Sequence, residues 1–187
     1  MRRVANTALL VAVLASGVCG SVCAVPPPPA APPGATSEAR IKAGIVFNLA
    51  RVVDWPEMAT AANTFVIGVV GDDAADPALD GLSGKDVHRR ACVVRDPLPP
   101  QAAAEAQIVY ISQSQQADLQ SLLGTLAGHP VLTVSEIGGF CESGGMVQLR
   151  RDRNRILLRV NREAAEKAGL RLSSELLKVA ELVKGGD

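Results

Sequence analysis

Apolar and polar residues follow one another along this chain in blocks that predict alternating helices and strands. From Ser37 to Asp54 the apolar positions recur at helical spacing, which predicts a first helix. Its apolar stripe comprises Ile41, Ile45, Leu49 and Val52, and it is widened by Val46 and Val53. Pro56 ends this helix. Trp55, the only tryptophan, is expected to anchor the core at that corner.

Four short apolar runs farther along the chain predict strands. They lie at 64–71, 90–95, 106–112 and 130–135, and helices are predicted at 77–82 and 115–126. A nearly continuous apolar run is typical of a strand that is covered on both faces. Alternation of such strands with helices predicts an α/β fold: a single layered domain with a central, mostly parallel sheet and helices on both faces.

The C-terminal third predicts a β-hairpin followed by helices. Two apolar strands between 146 and 161 flank a polar turn at 151–154. Asn161 is expected to cap a short helix that Gly169 ends, and Ser173 or Ser174 to cap a final helix through Val183.

The first 36 residues differ in composition from the rest of the chain. Residues 1–24 resemble a cleavable signal peptide, with Arg2 and Arg3 before a short apolar run and small residues up to Ala24. Lipidation at Cys19 or Cys23 is the alternative. Residues 25–36 are rich in proline and alanine and predict an extended linker. Residues 37–187 then form the exported domain, which predicts a periplasmic location.

Charge and cysteine content narrow the possible functions. Beyond residue 24 the chain has 17 basic and 19 acidic side chains, which does not suggest a nucleic-acid binder. Cys92 and Cys141 are the cysteines of this part. In an oxidising compartment they can form a disulfide, or they can remain two free buried thiols, since sequence gives no distance between them.

No catalytic, metal-binding or cofactor-binding constellation is evident. His88 and His129 lack the spacing to other ligands that a metal site needs. The best enzyme alternative is a thiol enzyme with Cys141 as nucleophile and His129 as base. We therefore predict a binding protein that is not an enzyme and uses no cofactor.

A surface for a protein partner is predicted around the hairpin. Six arginines cluster there: Arg150, Arg151, Arg153, Arg155, Arg159 and Arg162. They form either a solvated face or a docking surface for an acidic partner. In the docking interpretation Phe140 and Met146 are exposed apolar anchors beside Arg151, Arg153 and Arg155.

The order of segments resembles the YfiR family. The similar segments are KAGIVFNLARVVDWP (42–56), IGVVGDD (67–73), GKDVHRRACVVR (84–95), IVYIS (108–112), PVLTVSEIGGFCESGGMV (130–147) and NREAAEKAGLRLSSELLKVAELV (161–183). The resemblance covers nearly all of residues 40–183.

The resemblance implies a periplasmic, non-enzymatic regulator. It implies that the chain restrains an inner-membrane diguanylate cyclase of the YfiN type, which lowers cyclic di-GMP and biofilm formation. It further implies an OmpA-like outer-membrane lipoprotein as a second partner and a possible homodimer. The alternative is a ligand-binding module that reports to a sensor kinase or a TonB-dependent receptor. Redox control by two disulfides does not carry over, because the mature chain allows at most one bond, Cys92 to Cys141.

Overall fold

The fold comprises short helices and strands that follow the predicted alternation. The computed structural model describes residues 37–56, 63–71, 77–153 and 155–185, so the predicted signal peptide (1–24) and linker (25–36) lie outside the described residues. The strands are β1 (Val53–Asp54), β2 (Thr64–Val70), β3 (Asp86–Val87), β4 (Arg90–Arg95), β5 (Ile108–Ile111), β6 (Leu132–Ser135), β7 (Val147–Asp152), β8 (Arg155–Val160), β9 (Arg171–Leu172) and β10 (Glu181–Leu182). The α-helices are α1 (Ser37–Val52), α2 (Pro77–Asp80), α3 (Leu119–Leu126), α4 (Arg162–Lys167) and α5 (Ser174–Val179), with 3₁₀ helices at Pro100–Glu105 and Gln113–Gln116.

One eight-stranded sheet organises the domain, in the order β10-β8-β7-β6-β5-β2-β4-β3. Neighbouring strands are parallel except for the β7–β8 hairpin and the β3–β4 pair, which are antiparallel. A separate two-stranded ribbon pairs β1 with β9. The predicted α/β class, the mostly parallel sheet and the C-terminal hairpin with helices are confirmed.

Two apolar cores lie on opposite faces of this sheet. In β2 the alternate residues Phe65, Ile67 and Val69 join the core beneath α1, α2 and α4. Val66 and Val70 join the second core, together with α3 and the first 3₁₀ helix. Because the central strands β2, β5 and β6 bury both faces, their sequences are nearly continuous apolar runs rather than alternating ones.

In the C-terminal part of the chain, the ends of the helices lie at the capping residues that the sequence predicts. The side chain of Asn161 accepts a hydrogen bond from the Ala164 amide at the start of α4, as predicted. Ser173 does the same for the Leu176 amide at the start of α5. Gly169 takes a positive φ of 77° after α4, a conformation that an L side chain disfavours.

Three predicted helices are shorter than the sequence pattern suggests, because their ends enter other structures. α1 ends at Val52, since Val53 and Asp54 pair with β9. α5 ends at Val179 rather than Val183, since β10 pairs with β8. The predicted helix over 115–126 is interrupted, with a 3₁₀ turn before α3. Pairing of backbone groups in a sheet therefore replaces the last turn of α1 and of α5.

Trp55 has the structural role that the sequence predicts. Its ring meets Phe65 edge-on at 5.1 Å between centroids. Its indole nitrogen donates a hydrogen bond to the Gln107 carbonyl at 3.2 Å. The residue thus ties the chain after α1 to β2 and to the start of β5.

Candidate functional site

The loop at 138–146 buries its two large apolar side chains, which corrects part of the predicted partner surface. Phe140 is fully buried and Met146 is 7% exposed, so neither can be the exposed anchor that the sequence suggested. The Gly145 amide donates to the Phe140 carbonyl at 2.9 Å, which closes a tight turn. A Cβ on Gly145 would lie 2.3 Å from the Phe140 ring. The glycine therefore serves close packing and does not shape an exposed loop.

The arginines of the β7–β8 hairpin lie at the surface, as expected. Arg151 is exposed and makes an ion pair of 2.9 Å with Glu38 at the start of α1. Arg155 pairs with Asp152 across the turn at 3.2 Å. Arg153 has a φ of 51° at the tip and makes no ion pair within the described residues. The hairpin tip therefore presents positive charge beside the N-terminal end of α1.

A polar network fixes α1 against the carboxyl end of the sheet. The Lys42 ammonium lies 3.0 Å from the Glu38 carboxylate and 2.9 Å from that of Glu136. The Tyr110 hydroxyl also donates to Glu136. Burial acts to lower the pKa of Lys42, but its hydrogen bonds to the two carboxylates outweigh burial and raise it. The hydrogen bond from Lys42 holds the pKa of Glu38 below its usual range.

An open apolar groove lies between α1 and α5, above β8. Its volume is about 320 Å³. Its lining consists of Ile45, Asn48, Leu49, Val52, Leu158, Glu175, Leu176 and Val179. Val179 is 73% exposed, and Ile41, one helical turn before Ile45, is 52% exposed. The structure therefore leaves part of the predicted core stripe of α1 at the surface.

Sequence reasoning missed this groove, although α1 carries a sign of it. The residues of α1 that the core buries are Ala43, Val46, Leu49 and Ala50. The Ile41–Ile45–Val52 stripe is rotated away from that set. An apolar sector wider than one face of a helix can bury indicates that part of it serves another contact.

A second cluster joins the hairpin, the 138–146 loop and β10 through Arg159. The guanidinium of Arg159 lies 2.7 Å from Glu142 and 3.4 Å from Glu181. It also donates to the Gln148 side chain at 3.0 Å. The hydrogen bond from Arg159 lowers the pKa of Glu142. This cluster lies on the face of β8 opposite the groove, because residues 157 and 159 alternate with 156 and 158.

The structure does not contain the predicted disulfide between Cys92 and Cys141. Both residues are free, buried thiols. Cys92 lies on β4 and Cys141 packs against the carbonyl of Arg159 on β8, with β2, β5, β6 and β7 between these strands. Five strand spacings of about 4.8 Å therefore separate β4 from β8, which places the thiols beyond the reach of a disulfide.

The buried thiols also lack the properties of a nucleophile. Burial raises the pKa of Cys141 to about 11, with a further contribution from the Glu142 carboxylate. Burial likewise raises the pKa of Cys92 to about 11. A reactive cysteine has a lowered pKa, since the thiolate is the attacking species. The burial of Cys141, together with its raised pKa, thus argues against the thiol-enzyme alternative.

Among residues 37–56, 63–71, 77–153 and 155–185, no group of three or more histidine, cysteine, aspartate or glutamate side chains is placed to hold a metal ion. Within the same ranges, no helix combines the length and apolar character required to cross a membrane.

Comparison with known proteins identifies the family. The sequence profile of the YfiR/HmsC-like family matches residues 39–181. This chain belongs to that family. The matched range contains most of α1, the β7–β8 hairpin, the lining of the groove and the first residue of β10. The groove and the hairpin arginines therefore lie within the YfiR/HmsC-like domain.

A solved structure supports the fold of this YfiR/HmsC-like chain. This chain is similar to the crystal structure of a conserved domain protein from Vibrio cholerae O1 biovar El Tor strain N16961, with a TM-score of 0.54 and 13% sequence identity. The match covers 80% of this chain and 61% of that one, so this chain spans less than two thirds of its length. At that identity the likeness shows the fold alone.

Proposed function

We propose that this protein is a periplasmic regulatory binding protein that restrains an inner-membrane signalling protein, namely a diguanylate cyclase. Membership of the YfiR/HmsC-like family supports a regulatory role in cyclic di-GMP signalling. The single observation that carries the proposal is the open apolar groove beside the arginine hairpin. Such a surface has the apolar centre and charged rim that protein interfaces share.

The mechanism is stoichiometric. A protein that binds the inactive state of a receptor more tightly than the active state shifts the population toward the inactive state. The groove supplies the apolar contact, and Arg151, Arg153 and Arg155 attract an acidic region of the receptor. Removal of this protein by a competing partner, such as an OmpA-like lipoprotein, would restore cyclase activity.

Export by a cleaved signal peptide is part of this proposal. The mature protein would begin at Val25, with residues 25–36 as a spacer before α1. N-terminal sequencing of protein recovered from the periplasm tests this point. An intact Met1 or a lipid-modified Cys19 or Cys23 would replace cleavage after Ala24 with an anchored form.

The decisive experiment combines deletion with cross-linking in the native host. Deletion of the gene should raise cyclic di-GMP, and cross-linking in intact cells should recover a diguanylate cyclase with this protein. The double charge reversal Arg151→Glu with Arg153→Glu should weaken that recovery at least about tenfold, since it replaces attraction by repulsion. Arg95→Glu is the matched control, because Arg95 is an exposed arginine of β4 that pairs with Glu105 at 3.4 Å.

A ligand-binding module that reports to a sensor kinase or a TonB-dependent receptor is the second candidate. The volume of the groove, about 320 Å³, is at the lower end of the size of small-molecule sites. The exposure of Val179 makes the groove shallow, which favours a macromolecular partner. Recovery of a kinase or transporter, with unchanged cyclic di-GMP after deletion, would support this second function instead.

A further inference from the structure

The outer edge of β8 is only partly covered by another strand. β10 pairs with Arg159 and Val160 at the end of β8, in parallel register with Glu181 and Leu182. Within the part of the chain that the structure describes, no strand lies beside residues 155–158 on that edge. An uncovered strand edge offers backbone donors and acceptors to a further strand.

The direction of the uncovered backbone groups follows from the hydrogen bonds of Val160. Its carbonyl accepts from the Val183 amide, so Val160 directs its backbone groups outward, away from β7. Residues two and four positions earlier in a strand direct their backbone groups the same way. Ile156 therefore presents both its N–H and its C=O group at the open edge. Leu158 presents its N–H group there, because the parallel register of Arg159 with Glu181 pairs the Leu158 carbonyl with the Glu181 amide.

The two sides of this edge have different chemistry. Ile156 and Leu158 direct their side chains toward α1, where they pack against the core beside the groove. Arg155 and Arg159 alternate with them and lie on the opposite side, where Arg150 is also found by its register with Leu157. A strand added here would contact an apolar groove with every second side chain and arginines with the others.

β10 already shows which sequence the edge accepts. The carboxylate of Glu181 lies 3.4 Å from Arg159 and 3.9 Å from Arg150. The next residue, Leu182, is in register with Val160, whose side chain belongs to the core on the α1 side. An acidic residue followed by an apolar one is thus the pattern that this edge binds within its own chain.

We propose that an extended segment of the signalling partner adds to the open edge of β8 as a strand, next to β10. The segment alternates apolar side chains, which enter the groove, with acidic side chains, which pair with Arg150 and Arg155. This inference rests on the proposed function only in assigning the segment to the signalling partner. The kind of segment follows from the edge, the groove and β10 themselves.

Hydrogen exchange and peptide binding test the inference on the full mature protein. The probe is a fluorescent peptide of about eight residues, long enough for an average strand, that alternates valine and glutamate. We expect it to bind, and we expect the rapidly exchanging amides of Ile156 and Leu158 to become protected when it does. A peptide of the same composition with valines and glutamates in separate blocks is the control, and it should bind at least about tenfold more weakly.

Two matched changes isolate the backbone contact. Ile156→Pro removes the outward N–H, whereas Ile156→Ala removes the same packing but retains the N–H. We expect Ile156→Pro to weaken peptide binding at least about tenfold relative to Ile156→Ala, with the melting temperature of each confirming folding. If proline prevents folding, N-methylation of alternate peptide amides replaces it. Methylation of the amides along one edge of the peptide should abolish binding, whereas methylation along the other edge should leave binding unchanged.

Several results would overturn the inference. Equal binding by the alternating and block peptides would show that charge alone attracts the segment. Protection of Ile156 and Leu158 before any peptide is added would show that the edge is already covered, by residues of this chain or by a second copy. Failure of the peptide to bind, while the cyclase is still recovered by cross-linking, would reject strand addition and leave the proposed function intact.

Discussion

The 138–146 loop and the α5–β10 segment differ in burial in the direction opposite to the one that their sequences suggest. The loop is rich in glycine and contains Phe140, yet it buries Phe140, Cys141 and Met146 in the core. The α5–β10 segment has the leucines and valines of a core helix, yet Val179 and Leu182 are 73% and 56% exposed. The difference teaches that glycine next to an aromatic residue can mark close packing, and that an apolar pattern at the end of a domain can mark an interface.

The largest expected effect comes from emptying the core under the loop. Phe140→Ala should lower the free energy of unfolding by about 3–5 kcal/mol, because it leaves a cavity in a fully buried position. Val179→Ala is the control in the contrasting segment and should change stability by less than about 0.5 kcal/mol. Urea denaturation measures both. Similar losses for the two variants would show that the loop and α5 do not differ in packing.

A smaller effect is expected where the loop backbone meets the Phe140 ring. Gly145→Ala should lower the free energy of unfolding by about 1–3 kcal/mol, since its Cβ would overlap the ring and force a shift. Gly138→Ala is the matched control, because no heavy atom lies within 4 Å of a Cβ there. The same denaturation measurement applies. A neutral Gly145→Ala would mean that the ring moves freely and the turn is loosely packed.

The caps of α4 and α5 allow the stability contributions of the two regions to be compared directly. Asn161→Ala should cost about 1–2 kcal/mol, because it removes the cap of α4 and also the hydrogen bond from the side-chain amide to the Cys141 carbonyl. Ser173→Ala removes the cap of α5 alone and should cost about 0.5–1 kcal/mol. Thermal unfolding monitored by circular dichroism compares them. A larger loss at Ser173 would place the stronger constraint in the α5 segment.

An effect of similar size to that of the caps is the pH dependence that the buried thiol of Cys141 contributes. Its pKa is about 11 in the folded protein against 9.0 for an ordinary thiol, so the folded state holds the proton more tightly. This contribution to stability is complete below pH 9 and is lost as the pH rises toward 11. Cys141→Ala should therefore remove about 1 kcal/mol of the stability loss between pH 8 and pH 10, as denaturation at the two pH values would show. An identical pH profile in the variant would indicate that the thiol is not buried.

The sequence predicted the central sheet because local pattern and burial coincide there. Continuous apolar runs such as 64–71 are strands covered on both faces, and Asn161 and Ser173 cap helices through groups only three residues away. What the sequence did not predict depends on residues far apart in the chain. The β1–β9 and β8–β10 pairs shorten two helices, and the sheet order separates Cys92 from Cys141. The groove requires α1, β8 and α5 together.

The exposure of the residues assigned to the partner surface was predicted correctly only in part for the same reason. The hairpin arginines lie at the surface because alternation along a strand is a local property. Exposure of Phe140 and Met146 depended on what covers the loop, and that is the sheet and α3 on one side and the α1 core on the other. In the proposed function, the apolar side chains of the groove replace them as partner-binding anchors. The part of Arg151, Arg153 and Arg155 in partner binding remains a prediction.

Trp55 gives this protein a built-in optical probe whose position suits the experiments above. It is the only tryptophan, it is buried, and its ring packs on Phe65 of β2. Its two partners, Phe65 on β2 and the Gln107 carbonyl before β5, hold the indole in the core, so unfolding would expose it to water. Intrinsic fluorescence will therefore report unfolding of the domain. The emission of each variant can be used to check its folding before peptide binding is measured with a labelled peptide.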